Sequence, residues 1–425
     1  MKRTDDQQHV LILCQESEVP LIQERWEEIK PYHIETDSTE EIFQRGPEAY
    51  LREMIDFLNK SPDRFDGIIG TRDVTSVFSN VICEKTRKLA TSIDSMINCQ
   101  NKYISRKIQK EKMPENTPDF WLDSQFLREF PLVPPFFAKP VRANISYGSK
   151  KCDSYDELRE LIRKNTADLS NYNQYYLDAL AVSGHLNNQL NLETYNRFLC
   201  EELVSGDQIT VNGYIINSEV TCYGIVKAAF HEDKISFSHH EMPFDGLSAE
   251  MEKRINKITA EVAKATGLNN TFFNVEMRID QETGAINIIE VNSRAAFQFV
   301  GMTEAILGIN FVQWLCDLSV GKVPGSHDDQ LYEREKYPCC YNFELREFGD
   351  REILKVPMTT ELEHIHHLYP EVTVKNMVSA DSRLSDYKQN LESYRYCIMD
   401  VPGKDKKDVL EKYEIIKSML GYEFR

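Results

Sequence analysis

The sequence predicts an α/β protein of two or three domains, and three features point there. In the first hundred residues, short apolar runs (His9 to Cys14 and Phe65 to Gly70) alternate with amphipathic helical stretches. From Arg197 to Phe237 the texture turns strand-rich. A chain of 425 residues also exceeds what one hydrophobic core organises.

Taken in order, His9 to Cys14 reads as a buried first strand, followed by a helix from Val19 to Ile29. Phe65 to Gly70 is a second buried strand, ahead of a helix carrying Phe78, Val81, Ile82 and Leu89. Together they imply a small open α/β domain over residues 1–100, without the GxGxxG fingerprint of a dinucleotide site. A basic helix from Lys102 to Lys112 ends at Met113-Pro114. The apolar segment Phe136-Phe-Ala-Lys-Pro140 follows, then a loop to Lys151. A helix from Tyr155 to Arg163 puts Tyr155, Leu158 and Ile162 on one face. Residues 165–195 are polar and rich in Asn, and read as a long connection. After the strand-rich run, a helix spans Ser248 to Thr266 and stops at Gly267. A hairpin comes next, then an apolar helix from Ile309 to Leu318. Cys339 to Glu344 and Tyr394 to Asp400 suggest strands, and a helix from Lys406 to Leu420 closes the fold. No internal repeat is visible.

Composition narrows the function classes. The chain is 41% hydrophobic and 10% aromatic, as expected of a soluble globular protein. Its net charge of −18 weighs against a surface that neutralises nucleic-acid phosphates. The ten cysteines form no CxxC pair, and a chain this long has no need of disulfide staples, so reduced thiols in the cytoplasm are expected. The run Val10 to Leu13 is too short for a signal-peptide core, and nothing approaches a membrane span.

The chemistry concentrates in the hairpin. In Asn287-Ile-Ile-Glu-Val-Asn-Ser-Arg294, positions two apart on a strand share a face, so Glu290 and Asn292 point one way and Ile289 and Val291 the other. Phe272 to Ile279 alternates similarly, and Asp280 to Ala285 reads as the turn. Pairing these strands brings Glu276 close to Glu290, with Asn292 one step along. Two carboxylates and an amide oxygen suit Mg²⁺, which completes its shell with water and nucleotide phosphates. A solvated hairpin with charges on its wet face is the alternative.

Three lysines, Lys102, Lys139 and Lys227, fall on or beside apolar segments, where an ammonium is costly unless an anion meets it or its tip reaches water. Ala143-Asn-Ile-Ser-Tyr-Gly-Ser149 can turn backbone N–H groups toward phosphate. Arg197 to Gln208 runs from a short apolar strand through the adjacent acids Glu201 and Glu202 and through Leu203 into a glycine turn. That exit could present backbone groups to an adenine.

With this order of segments, the chain resembles the ATP-grasp superfamily, in particular its carboxylate–amine ligase branch. The strongest match is Ile289-Glu-Val-Asn-Ser-Arg294, with Phe273 to Arg278 as partner strand and Glu201 to Gly206 as the adenine hinge. The resemblance implies an α/β pre-grasp domain (1–100), a two-lobed grasp of α+β character (101–325) and a small C-terminal α/β segment (326–425). By that likeness Lys102 and Lys139 contact the ATP phosphates, the backbone at Glu201, Glu202 and Leu203 meets the adenine, and Gln208 stands where a ribose-binding acid is usual; Ser146 of the polar loop and Lys227, from their own sequence settings, are expected beside the phosphates too. Glu276, Glu290 and Asn292 hold one or two Mg²⁺ ions, with Mn²⁺ as a substitute, and Arg294 stabilises the transferring phosphoryl group. The implied reaction joins a small carboxylate, such as an amino acid, to an amine through an acyl phosphate, releasing ADP and phosphate. Neither nucleic acid nor membrane takes part, and a homodimer is the common assembly.

Three departures are visible. The loop Arg142 to Ser149 has one glycine where the family is glycine-rich, Asn101 replaces a common Asp, and Ala295 to Phe299 is bulky. They leave open a nucleotide-binding regulator that keeps the grasp without ligase activity, or a relative that phosphorylates a hydroxyl or makes a thioester. His364-Ile-His-His367 offers metal-type ligands in a context that fits an exposed helix, and His239-His240-Glu241 lies in a stretch that can border a substrate pocket. Cys339-Cys340 reads as strand packing.

Overall fold

The computed structural model describes residues 7–29, 31–123, 132–143, 147–233, 235–325, 336–387 and 393–425. The first segment gives β1 (Gln8–Cys14), α1 (Val19–Glu27), β2 (Tyr32–Ser38), α2 (Thr39–Arg45), α3 (Pro47–Lys60), β3 (Gly67–Gly70), α4 (Asp73–Thr86) and α5 (Ile93–Gln100). Strands β2, β1 and β3 form a parallel sheet in that order. β2 is hard to see in sequence because Glu35, Thr36 and Asp37 interrupt its apolar pattern, leaving only Tyr32, Ile34 and Ser38 fully inside.

The next elements are α6 (Lys102–Lys112), β4 (Phe120–Leu122), β5 (Phe136–Pro140) and β6 (Lys150–Cys152). α6 has the expected bounds because Asn101 caps its start, accepting from the Ile104 N–H at 3.1 Å, and Pro114 follows its end. Residues 165–195 are not a connection. They continue α7 (Tyr155–Tyr172) and then form α8 (Gln174–Ser183) and α9 (Gln189–Thr194). The polar composition hides the few side chains that matter. Tyr175, Tyr176, Ala179 and Leu180 of α8 are buried with Tyr50, Leu51, Phe78 and Val81 of the first domain. Burial of a large apolar side chain stabilises by about 1.5–3 kcal/mol, enough to outweigh the weak propensity of the flanking asparagines.

Strands β7 (Phe198–Glu202), β8 (Asp207–Ile216), β9 (Glu219–Phe230) and β10 (Phe237–Met242) precede α10 (Ala249–Ala265), which Ser248 caps. The hairpin follows as β11 (Thr271–Ile279) and β12 (Ile286–Asn292), then α11 (Val300–Leu307) and α12 (Phe311–Ser319). The chain ends with β13 (Cys339–Glu347), β14 (Glu352–Lys355), α13 (Thr359–Leu368), β15 (Thr373–Asn376), β16 (Ser382–Arg383), β17 (Tyr394–Gly403), α14 (Lys406–Met419) and β18 (Glu423–Phe424).

Two sheets face the site. A four-stranded sheet has the order β4-β7-β5-β6, and an eight-stranded sheet runs β12-β11-β8-β9-β10-β13-β17-β15. The C-terminal strands thus continue the sheet of the hairpin through the β10–β13 pair, Met242 opposite Cys340. Ile209, Val211, Val275, Met277, Ile288 and Val291 pack under α10 on one face of that sheet. No single helix among the described residues is long and apolar enough to cross a membrane. All ten cysteines are free thiols.

Candidate functional site

Antiparallel pairing sets Glu276 directly opposite Glu290 and Asn274 opposite Asn292, while β8 adds Thr210 beside Glu276 and Asn212 beside Asn274. Since alternate residues share a face, these six form two rows on the side away from α10. The Asn292 Nδ2 donates to Asn274 Oδ1 at 3.0 Å, and Asn274 Nδ2 donates to the Arg294 carbonyl at 3.1 Å. The Asn row thus fixes the strand that carries Arg294. Among the described residues no group of three or more His, Cys, Asp or Glu side chains is placed to hold a metal, the histidines of α13 included. The hairpin offers two carboxylates and an amide, a donor set that fits Mg²⁺ with water and phosphate completing its shell. Burial, and then the charge of Glu290, pushes the Glu276 carboxyl up to about 7. A divalent cation between them would remove that conflict.

The expected alternation fails at one position. Met277 pairs with Ile288 and Glu276 with Glu290, so Ile289 is an extra, bulged residue and leaves the core that Ile288 and Val291 share. Its carbonyl turns to the site instead, where Arg106 Nη2 donates at 2.7 Å and Lys139 Nζ at 3.2 Å.

The opposite wall comes from β5, β7 and α6. Lys139 Nζ lies 2.6 Å from Glu201 Oε2, and Arg106 pairs with Glu201 Oε1. All three are buried, at 5%, 1% and 4% exposure for Lys139, Arg106 and Glu201. Burial works against the Glu201 charge, but Arg106 and Lys139 overcome it and hold the carboxyl below its usual range. Burial likewise lowers Lys139 despite Glu201. Lys102 Nζ reaches Glu290 Oε1 at 3.0 Å and the Ala143 carbonyl at 2.8 Å. The helices of residues 165–195 brace this wall. Asn101 Nδ2 donates to Asn191 Oδ1 at 3.0 Å and to Thr194 Oγ1 at 2.9 Å, while buried Arg142 donates to Asn173 Oδ1 at 2.7 Å and to the Tyr175 hydroxyl at 2.9 Å.

Glu202 points outward and accepts from the Asp119 N–H at 3.0 Å, and Leu203 stands 43% exposed as the strand ends. The turn that follows demands glycine: Gly206 has φ +102°, and a Cβ there would meet the Ile279 carbonyl at 2.1 Å. Gln208 Nε2 donates to Glu276 Oε2 at 3.4 Å. Arg294 is held by Asp73, Nη2 to Oδ2 3.0 Å, across the junction with the first domain. Burial opposes the Asp73 charge, and Arg294 more than offsets it, keeping the carboxyl below its ordinary value.

Thus Lys102, Lys139, Glu201, Gln208, Glu276, Glu290, Asn292 and Arg294 converge. Lys227 does not join them. It pairs with Ile209 on the α10 face, with its Nζ 3.2 Å from Asp207 Oδ1 and 4.6 Å from the Phe244 ring centre. Strand parity places it across the sheet from Glu276, with Asp207 rather than the hairpin carboxylates beside its ammonium. Ser146 lies outside the described residues. The sequence reading missed Asp73, Arg106 and the row Asn212-Asn274. Asn274 carried a signal, being two positions from Glu276 on the same strand. Asp73 and Arg106 carried none, since only tertiary packing aims them at Arg294 and Ile289.

His240 is buried, with its ring 4.9 Å from Phe299, and burial lowers its pKa to about 4, so it is neutral. His239 stacks on Tyr341 at 5.2 Å on the other face.

Residues 132–302, which hold β5 through the start of α11, match the family model of the ATP-grasp domain. Over those residues the chain is similar to ATP-grasp domains. Its ATP-grasp fold is shared with solved structures over nearly its whole length. An L-amino acid ligase from Bacillus licheniformis superposes with a TM-score of 0.74 at 18% identity, covering 99% of this chain and 100% of that one. A phosphoribosylglycinamide synthetase from Anaerococcus prevotii gives 0.65 at 14% identity, covering 99% and 100%. The biotin carboxylase domain of the Hydrogenobacter thermophilus 2-oxoglutarate carboxylase, in complex with ADP magnesium salt, ADP and bicarbonate, gives 0.63 at 12%, covering 99% and 91%. No curated protein matches the chain in sequence.

Proposed function

We propose that this ATP-grasp protein is an ATP-dependent carboxylate–amine ligase. The observation that carries the reading is the juxtaposition of the Glu276–Glu290 pair with Lys102, and of Arg294 one strand-end away. Lys102 and Lys139 bind the phosphates of ATP, exchanging Glu290 and Glu201 for phosphate oxygens as partners. The strand exit at Glu201, Glu202 and Leu203 receives the adenine, and Gln208 lies on the site face where the sugar would run. Glu276, Glu290 and Asn292 hold Mg²⁺, which neutralises phosphate charge when bound.

The substrate carboxylate attacks the γ-phosphorus, the bond to the β-phosphate oxygen breaks, and ADP leaves. The amine then attacks the acyl carbon of the acyl phosphate, phosphate departs, and the amine gives up a proton. In the first step the chain supplies position and charge. Arg294, held by Asp73, sets a fixed cation where charge spreads over the transferred phosphoryl group. Solved structures of similar fold include an L-amino acid ligase and a magnesium–ADP complex, which supports the same substrate classes here. A coupled ADP-release screen across pairs of amino acids, with product mass, tests the reading. Release that requires both an acid and an amine, with a product lighter than their sum by one water, is expected. No release with any pair would overturn it.

A further inference from the structure

Arg294 is anchored through two of its three nitrogens. Its Nη2 donates to Asp73 Oδ2 at 3.0 Å and its Nη1 to the Ala295 carbonyl at 3.2 Å. The Nε is buried and has no hydrogen-bond partner among the described residues. Three further buried atoms share that condition: Asn80 Nδ2, Asn270 Oδ1 and Ser293 Oγ. They come from separate parts of the chain. Asn80 lies on α4, Asn270 just before β11 and Ser293 just after β12. Asn270 has φ +50°, a left-handed conformation that asparagine tolerates better than most residues.

All four residues line one cavity between β3, α4, the end of α12 and the adjoining ends of β11 and β12. Its volume is about 20 Å³, and one water needs about 10–15 Å³. The serines on the helical walls spend their protons inside their own helices. Ser76 Oγ donates to the Asp73 carbonyl at 3.0 Å, Ser79 Oγ to the Ser76 carbonyl at 3.1 Å and Ser319 Oγ to the Cys316 carbonyl at 2.8 Å.

The balance of donors and acceptors identifies what this cavity holds. The Arg294 Nε–H and the Asn80 NH₂ only donate, Asn270 Oδ1 only accepts, and the Ser293 hydroxyl does either. A water offers two lone pairs and two protons, which match these four groups one for one. An anion would be repelled by the Asn270 oxygen, and a cation by the guanidinium. Buried polar groups that no protein atom reaches are paired by water in folded proteins.

We propose that a single buried water accepts from Arg294 Nε and Asn80 and donates to Asn270 and Ser293, making Asn80 a positioning residue for phosphoryl transfer. The role in phosphoryl transfer rests on the ligase reading; the water does not. Of the five N–H groups of Arg294, Asp73, the Ala295 carbonyl and the water take one each, and two remain for the oxygens of the transferred group. The arginine is thereby held from α4 at two points, by Asp73 directly and by Asn80 through the water.

Two measurements on wild type, Asn80→Leu and Asn80→Ser test this. Leucine copies the branching of asparagine, offers no donor and extends into the cavity, whereas serine keeps a hydroxyl that a second water can bridge. In crystals that order internal waters, wild type should show one about 2.7–3.2 Å from both Arg294 Nε and Asn80 Nδ2. Asn80→Leu should lose it and leave the guanidinium less ordered. With a substrate pair found by ADP release, Asn80→Leu should lose about 10- to 100-fold in kcat while the KM for ATP stays within about twofold. Asn80→Ser should recover most of that loss. A wild-type cavity without ordered water, or an Asn80→Leu kcat equal to wild type, would overturn the proposal. Equal losses in the two variants would also overturn it, by making Asn80 a packing residue. If wild type releases ADP with no pair, the ligase reading falls, and the water with its effect on the guanidinium decides this proposal by itself.

Discussion

Glu276→Gln separates what the site costs the fold from what it does for catalysis. Without metal, burial and the facing Glu290 raise Glu276 from 4.5 to about 7. The folded-state value lies above the unfolded one, so between these limits the native state holds the proton that the unfolded state releases. Stability owed to this group is therefore greatest below pH 4.5, falls as pH rises, and is fully lost above 7. At about 1.4 kcal/mol per pH unit, the window amounts to about 3 kcal/mol at pH 8. Glutamine keeps the shape and removes the charge. In EDTA at pH 8 the variant should melt several degrees above wild type, and the gap should close toward pH 4.5. Adding Mg²⁺ and a non-hydrolysable ATP analogue should stabilise wild type and leave the variant little changed. A variant that melts at or below wild type at pH 8, or a gap that ignores pH, would refute the reasoning.

Glu290→Ala should lower ADP release by about two orders of magnitude or more with an unchanged circular dichroism spectrum; turnover near wild type would remove Glu290 from the site. Arg294→Ala should reduce kcat far more than it raises the KM for ATP, and Asp73→Asn, which frees the arginine without deleting it, should do less; equal effects on kcat and KM would make the arginine a binding group only. Arg106→Leu leaves the buried Glu201 with Lys139 alone and should destabilise by about 3–5 kcal/mol in denaturant melts, part of which Arg106→Leu with Glu201→Leu should recover. A single-variant cost below about 1 kcal/mol would show the triad to be solvated.

The hairpin was legible because its signal is local. Period-two alternation and the turn at Asp280 to Ala285 fix the pairing, and one register aligns Glu276 with Glu290. α6 was legible for the same reason, between the Asn101 cap and Pro114. What escaped was set by distant partners. The face of Lys227 depends on how β9 registers against β8, and the lysine alone gives no hint of Asp207. The bulge at Ile289 reverses an expected inward side chain, yet it frees the carbonyl that Arg106 and Lys139 grip. The helices of 165–195 look like solvated chain until Tyr175, Tyr176 and Leu180 meet the first domain. The C-terminal strands look separate until β13 is laid against β10.

The most direct test is anomalous diffraction from crystals grown with Mn²⁺ and a non-hydrolysable ATP analogue. One strong peak about 2.1 Å from oxygens of both Glu276 and Glu290, with the triphosphate beside it and Lys102 turned to phosphate, is predicted. Nucleotide bound with those two carboxylates metal-free and Lys102 still on Glu290 would contradict the account.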